Sequence, residues 1–284
     1  VRRLLLIADL EGITGVDSLP SLVFCGAGYE AAARRMTEEV AVVAEALLAR
    51  GVEEVRISDA HRAGAGGSNL DAALLPAACS VHLAEDMYGG ALLDGVDAVC
   101  AVGMHASGES EGFGAHTVAL HTSWRLDGRP LNETHLAMFL AAERGIPFWF
   151  SSGDQVLEAE LPGVPFVRTK HSSGRGATRS RPVEDVVAEL RAITRRPPPP
   201  VLPVPRGRLV LRFQRRAEAE ASGGVLVSPT HVELGYRPSF TAQYEEALEL
   251  LEASEDAFAQ RLRGRFGTPA FAEAAAALLL EPWD

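Results

Sequence analysis

The stretch Val1-Arg2-Arg3-Leu4-Leu5-Leu6-Ile7-Ala8-Asp9-Leu10-Glu11-Gly12 decides how this chain folds. Leu4–Ala8 is an unbroken apolar run, as a strand buried on both faces requires. It stops abruptly at two carboxylates. A signal peptide would need an apolar core of about 7–15 residues, so the segment reads as the first strand of a folded domain. Working outward, Met36–Arg50 repeats apolar residues at helical spacing (Val40, Val43, Ala44, Leu47, Leu48) and stops at Gly51. Val52–Ser58 and Ala98–Val102 read as further strands. Asn132–Arg144 reads as a helix leading through Gly145-Ile146-Pro147 to a strand at Phe148–Ser151. Thr117–Leu126 followed by Asp127-Gly128 predicts a hairpin inserted in this pattern.

Strand and helix in alternation predict an α/β fold: a three-layer α/β/α domain with a mainly parallel sheet over residues 1–160. Beyond residue 160 the rhythm changes. Val164–Thr169 reads as a strand, Ser172–Ser180 as a Gly/Ser/Arg loop, and Pro182–Arg196 as a helix ended by four prolines. Leu209–Phe213 and Val225–Val227 read as strands, with helices at Thr241–Arg263 and Ala270–Leu280. A smaller α+β domain is therefore expected over 161–284, its last helices able to pack back on the first domain.

A net charge of -11 argues against nucleic acid or an anionic membrane as partner. No apolar run approaches the roughly 20 residues that span a bilayer. Cys25, Cys79 and Cys100 are odd in number and lack CxxC spacing, which excludes a disulfide framework and a thiolate zinc site. A cytoplasmic location is the expectation. Among 27 basic residues Lys170 is the single lysine.

In open parallel sheets ligands bind beyond the carboxyl ends of the strands. Three successive apolar runs end there in Asp9 and Glu11, in Asp59 and His61, and in Gly103-Met104-His105. Carboxylates and imidazoles are what zinc takes when thiolates are absent. With Glu133 the set is two histidines and three carboxylates, more than one catalytic zinc uses, and it suits two ions sharing a bridging carboxylate. Gly12 and Gly103 would let backbone approach such a site. Glu133 also sits at a helix start, where the dipole favours an acid regardless. His116, in Gly112-Phe113-Gly114-Ala115-His116-Thr117, reads equally as a functional residue, a general acid/base or an oxyanion partner, and as a locally bonded hairpin residue. Lys170 is a candidate to bind a substrate carboxylate or polarise a carbonyl, against the plainer reading of a surface cation. His82, His121 and His135 read as structural.

The order and spacing of these motifs resemble the D-aminopeptidase family of the DppA type, self-compartmentalising zinc aminopeptidases. The resemblance rests on Asp9-Leu10-Glu11-Gly12-Ile13-Thr14-Gly15, Met36-Thr37-Glu38-Glu39, Ser58-Asp59-Ala60-His61, Gly103-Met104-His105-Ala106, His116, and Arg129-Pro130 leading to Glu133. It implies that Asp9, Glu11, His61, His105 and Glu133 ligate two zinc ions, that His116 is catalytic beside them, and that the chain forms a homo-oligomer, a decamer in the family. The expected activity is hydrolysis of short peptides, D-configured ones included, from a free N-terminus, with Lys170 assisting. The competing readings are a metal-dependent phosphoesterase and a non-enzymatic, metal-stabilised binding protein. No P-loop or Gly-rich phosphate cradle supports the former.

Overall fold

The computed structural model describes residues 1–62, 67–83, 86–262 and 269–284. In chain order the strands and helices are β1 (Arg3–Ala8), α1 (Tyr29–Leu48), β2 (Glu54–Asp59), β3 (Cys79–His82), β4 (Ala98–Val102), β5 (Thr122–Leu126) and β6 (Arg129–Leu131). There follow α2 (Glu133–Glu143), β7 (Ser151–Asp154), α3 (Gln155–Glu160), β8 (Phe166–Gly174), β9 (Ala177–Ser180) and α4 (Val183–Ile193). The chain continues through β10 (Leu209–Phe213), α5 (Arg216–Ala221), β11 (Val225–Ser228), β12 (His231–Glu233), α6 (Phe240–Arg261) and α7 (Pro269–Leu278). The expected end of the sixth helix, Arg263, lies outside the described residues.

The fold is mixed α/β, with a parallel four-stranded sheet and additional antiparallel pairing. The parallel sheet has the order β3-β2-β1-β4. Its register places Ala8 beside both Asp59 and Val102, so the carboxyl ends of β1, β2 and β4 open at one edge. Residues 147–153 run parallel to β4 through bridges Val99–Phe148 and Met104–Gly153, joining this sheet to β7-β8-β9. After the exposed Arg3, β1 is apolar from Leu4 to Ala8 because both faces are covered there. Leu4, Leu6 and Ala8 pack with Met36, Val40 and Val43 of α1, Val186 and Leu190 of α4, and Ala272 and Ala275 of α7. Leu5 and Ile7 pack toward Leu136 and Ala137 of α2 and toward Leu209 and Leu211 of β10. Each such fully buried leucine or isoleucine contributes roughly 1.5–3 kcal/mol, which makes β1 the anchor of the site that follows it.

Three local expectations change. The first helix begins at Tyr29, a full two turns before Met36, because Gly28 in the left-handed region (φ 86°) lets the chain turn into it. The Ser172–Ser180 segment is no loop: β8 pairs antiparallel with β9, a polar and half-exposed hairpin with no apolar stripe to announce it. The hairpin at Asp127-Gly128 exists, both residues at positive φ (47° and 75°) as a two-residue turn demands, but it is not inserted in the parallel sheet. β5 pairs with β10, giving a five-stranded sheet β11-β12-β10-β5-β6. Strand pairing thus crosses residue 160 twice, through β5–β10 and β7–β8. Among the described residues no helix is long and apolar enough to cross a membrane.

Candidate metal centre

The loop after β1 turns tightly against the end of β4. A Cβ on Gly12 would lie 2.2 Å from the Met104 carbonyl oxygen, and one on Gly103 2.2 Å from that of Asp9. Only glycine permits this contact, and Gly103 also sits at φ 75°. The Gly12 amide donates to the Gly103 carbonyl at 2.7 Å. The two strand ends are thereby clamped together with Asp9, Glu11 and His105 between them. Glu133 arrives from another direction, as the first residue of α2. That helix start is fixed by a capping box, in which the Asn132 side chain accepts from the His135 amide and the His135 ring accepts from the Asn132 amide. His135 is therefore structural, as is His121, which stacks on Phe258 at 4.1 Å and reaches Ser254. His82 meets Ser80 near the surface.

Five predicted ligands converge. Asp9 faces two histidines with two different oxygens: Oδ1 lies 3.3 Å from His61 Nδ1, and Oδ2 lies 3.3 Å from His105 Nε2. Glu11 Oε2 is 3.1 Å from His61 Nδ1, and Glu133 Oε2 is 3.5 Å from His105 Nε2. His116 stacks on His105 with ring centroids 4.1 Å apart, its Nε2 3.8 Å from Glu133 Oε1. Among the described residues three groups have possible ligand atoms all within 4.8 Å of one another: Asp9, Glu11 and His61; Asp9, His105 and Glu133; Glu11, His105 and His116. Asp59, the other strand-end carboxylate, is turned away and accepts from Ser68 and Asn69.

The donor set fits a hard or borderline divalent cation. Asp9 Oδ2 and His105 Nε2 are fully buried with no hydrogen-bond partner. A buried orphan polar atom is costly, and a cation held between two orphans that face one another would satisfy both. The opposing imidazoles are in addition held in place from behind: His105 Nδ1 by the Ala106 carbonyl at 2.9 Å, His61 Nε2 by the Leu22 carbonyl at 2.5 Å. Metal-binding histidines are held in this way.

Electrostatics follow from crowding. Burial, with the charge of Glu11, pushes the Asp9 carboxyl up to about 8. Burial also opposes ionisation of Glu11, but His61, His105 and His116 together outweigh it and hold Glu11 well below the carboxylate range. Burial would lower His61 and His105, yet the surrounding carboxylates raise both well above 6.5. His116 goes the other way, pushed down to about 4 by burial and by His105. Glu133 is brought down to about 2, the pull of His105 and His116 exceeding the effect of its burial.

Lys170 is fully buried, so it is no surface cation. Its ammonium donates to the carbonyls of Glu11 (2.7 Å) and Val16, lies 5.0 Å from the centre of the Phe113 ring, and is 3.9 Å from Asp17. It grips the loop that carries Asp9 and Glu11 and points at backbone. Burial brings it down to about 8. Sequence reasoning missed Tyr88, whose hydroxyl donates to Glu133 Oε2 at 2.5 Å from inside the core. It also missed Arg175, whose guanidinium donates to the Gly108, Ala115 and Leu279 carbonyls and holds the loop leading to His116. No periodicity marks either residue.

The profile of the family Peptidase_M55, described as D-aminopeptidase, matches residues 3–222. No curated protein sequence matches the chain. Among solved structures, the Zn-dependent D-aminopeptidase DppA from Bacillus subtilis, a self-compartmentalizing protease, is similar with a TM-score of 0.74 at 20% identity. The match covers 93% of this chain and 99% of that one. At that identity the likeness concerns the fold.

Proposed function

The chain belongs to the Peptidase_M55 D-aminopeptidase family, and from that premise we propose that its buried cluster is a two-zinc centre cleaving short peptides from their free N-terminus. The observation that carries this reading is Asp9, whose two oxygens face His61 and His105 separately. A carboxylate so placed suits bridging. His61 and Glu11 would complete one ion's protein ligands, and His105 and Glu133 the other's. Zinc bound there would polarise a carbonyl and lower the pKa of a water molecule to about 7.

The chain's own part in the chemistry centres on His116. Its Nδ1 faces the Gly114 carbonyl at 2.8 Å. A carbonyl only accepts, so Nδ1 carries the proton and Nε2 is left with a free lone pair. That suits His116 to the role of base: Nε2 would take a proton from the attacking water and deliver it to the leaving amine nitrogen. The water oxygen bonds to the scissile carbon as the C–N bond breaks. Burial and the neighbouring His105 hold the ring neutral at physiological pH, which leaves Nε2 unprotonated. Lys170 acts through the backbone of Glu11, a positioning part in place of direct catalysis.

The same reading extends to architecture and assembly. We keep the finer expectation of a three-layer arrangement, supported by packing on both faces of the parallel sheet; the division into a domain over 1–160 and a smaller α+β unit over 161–284 stays a proposal, with α4, α7 and β10 packing back on the first. The relative's self-compartmentalizing character supports a homo-oligomer, with a decamer as the specific expectation. Light scattering should then give ten times the 30.2 kDa chain mass. The test of the function is metal analysis of the purified protein joined to an amidase screen over L- and D-dipeptides. Two zinc ions per chain and chelator-sensitive release of an N-terminal residue are expected. Metal-independent cleavage, or no cleavage of any peptide with two zinc ions bound, would overturn it.

A further inference from the structure

Val118 occupies a backbone conformation that valine rarely adopts, φ 64°. A β-branched residue in the left-handed region is a genuine outlier, because its branched Cβ crowds the backbone. The Ala119 amide donates to the Thr117 carbonyl at 2.8 Å. With positive φ at the middle residue this is the rare, strained form of the three-residue γ-turn. Such strain persists only where surrounding structure over-determines it. Here the determinants are visible. Thr117 donates its amide to the Thr122 carbonyl (3.1 Å), the Thr122 hydroxyl donates back to the Thr117 carbonyl (2.6 Å), and the Thr117 hydroxyl donates to the Leu131 carbonyl (3.0 Å).

A γ-turn joins its first and third residues and leaves the amide of the middle one to bond outward. The Val118 N–H donates to Glu133 Oε1 at 2.8 Å. Glu133 Oε2 is meanwhile held by the Tyr88 hydroxyl. We infer that the strained 117–119 turn is a positioning device: the Val118 amide and Tyr88 clamp the two oxygens of Glu133, fixing its carboxylate plane against His105 and His116. Val118 acts through Glu133 and touches no reacting atom. The inference rests on the reading of Glu133 as a metal ligand. Partners behind a ligand typically change metal affinity 10–100-fold when removed.

The test is zinc affinity, measured by competition with a chromophoric chelator on metal-stripped full-length protein. Thr122→Val removes one of the hydrogen bonds that hold the turn, the hydroxyl's bond to the Thr117 carbonyl, easing Val118 toward relaxation. About tenfold weaker zinc binding is expected. Adding Val118→Gly to that variant should restore affinity to within about threefold, because glycine takes positive φ without strain. Wild-type affinity in Thr122→Val, or failure of the glycine to restore it, overturns the inference. A merely structural turn would lower the melting temperature of Thr122→Val without moving zinc affinity, which also overturns it. Glu133→Gln separates the two layers. If it weakens zinc while Thr122→Val does not, only the positioning device falls; if it leaves zinc binding unchanged, the ligand assignment falls and takes this inference with it.

Discussion

Replacing Asp9 with asparagine should make the metal-free protein more stable while costing it a metal ion. Asp9 is buried beside Glu11 and Glu133, and its carboxyl is raised from 3.8 to about 8. A raised acid pKa means the folded state holds the proton more tightly than the unfolded chain. The destabilisation is absent below about pH 3.8 and grows as pH rises toward 8. At pH 7 it amounts to at most about 4 kcal/mol, at 1.36 kcal/mol per tenfold change in proton affinity. Asparagine has nearly the same shape and no charge, so it removes this cost. At about 2–4 °C per kcal/mol for a large domain, metal-stripped Asp9→Asn should melt up to roughly 8–16 °C above metal-stripped wild type at pH 7. The gap should close toward pH 4. With zinc present the order should reverse, because an amide offers one oxygen where the carboxylate faces His61 and His105 with two. Metal content should then fall from two ions per chain to about one. The assay is thermal unfolding at several pH values with and without a chelator, together with metal analysis. A metal-free variant no more stable than wild type at pH 8, or one still binding two ions, would refute the reasoning.

His116→Ala should keep its zinc and lose about 10²–10⁴-fold in kcat with little change in KM, as loss of a positioned acid/base predicts. An unchanged kcat would remove His116 from the chemistry, while loss of zinc would make it a ligand, as its proximity to Glu11 and His105 allows. The acid limb of the kcat profile should fall well below pH 6.5, since burial and His105 depress the His116 ring and bound cations push the same way; a limb near 6.5 contradicts the assignment. Tyr88→Phe removes one donor to Glu133 without changing the fold, so zinc should bind about tenfold more weakly by chelator competition. Lys170→Met strands the Glu11 and Val16 carbonyls and should destabilise the protein by about 1–3 kcal/mol in chemical denaturation. At saturating zinc its kcat should stay within a few fold of wild type, whereas a large kcat loss with zinc retained would give Lys170 a direct catalytic part.

What the sequence determined by itself is local. The apolar run Leu4–Ala8, the helical spacing of Val40, Val43 and Leu47, and the turn at Asp127-Gly128 are patterns a few residues long, and each produced its element. Parallel strands forced by βα alternation put their carboxyl ends at one edge, so Asp9, Glu11, His61 and His105 could be placed together from the sequence. Glu133 needed the family motif, because an acid at a helix start has a sufficient local cause in the dipole. Tertiary structure decided the rest. Asp59 ends a strand just as Asp9 does, yet Ser68 and Asn69 claim it. Lys170, legible as a singular residue, turns out to face backbone carbonyls 154 and 159 positions away. Tyr88 and the Val118 amide meet Glu133 only because α2 and the 117–119 turn are packed beside the sheet edge. The β8–β9 hairpin and the pairing of β5 with β10 left no apolar rhythm that names their partners. Periodicity records which face of an element is buried; it carries no record of what lies opposite, and the chemistry of this pocket depends on what lies opposite.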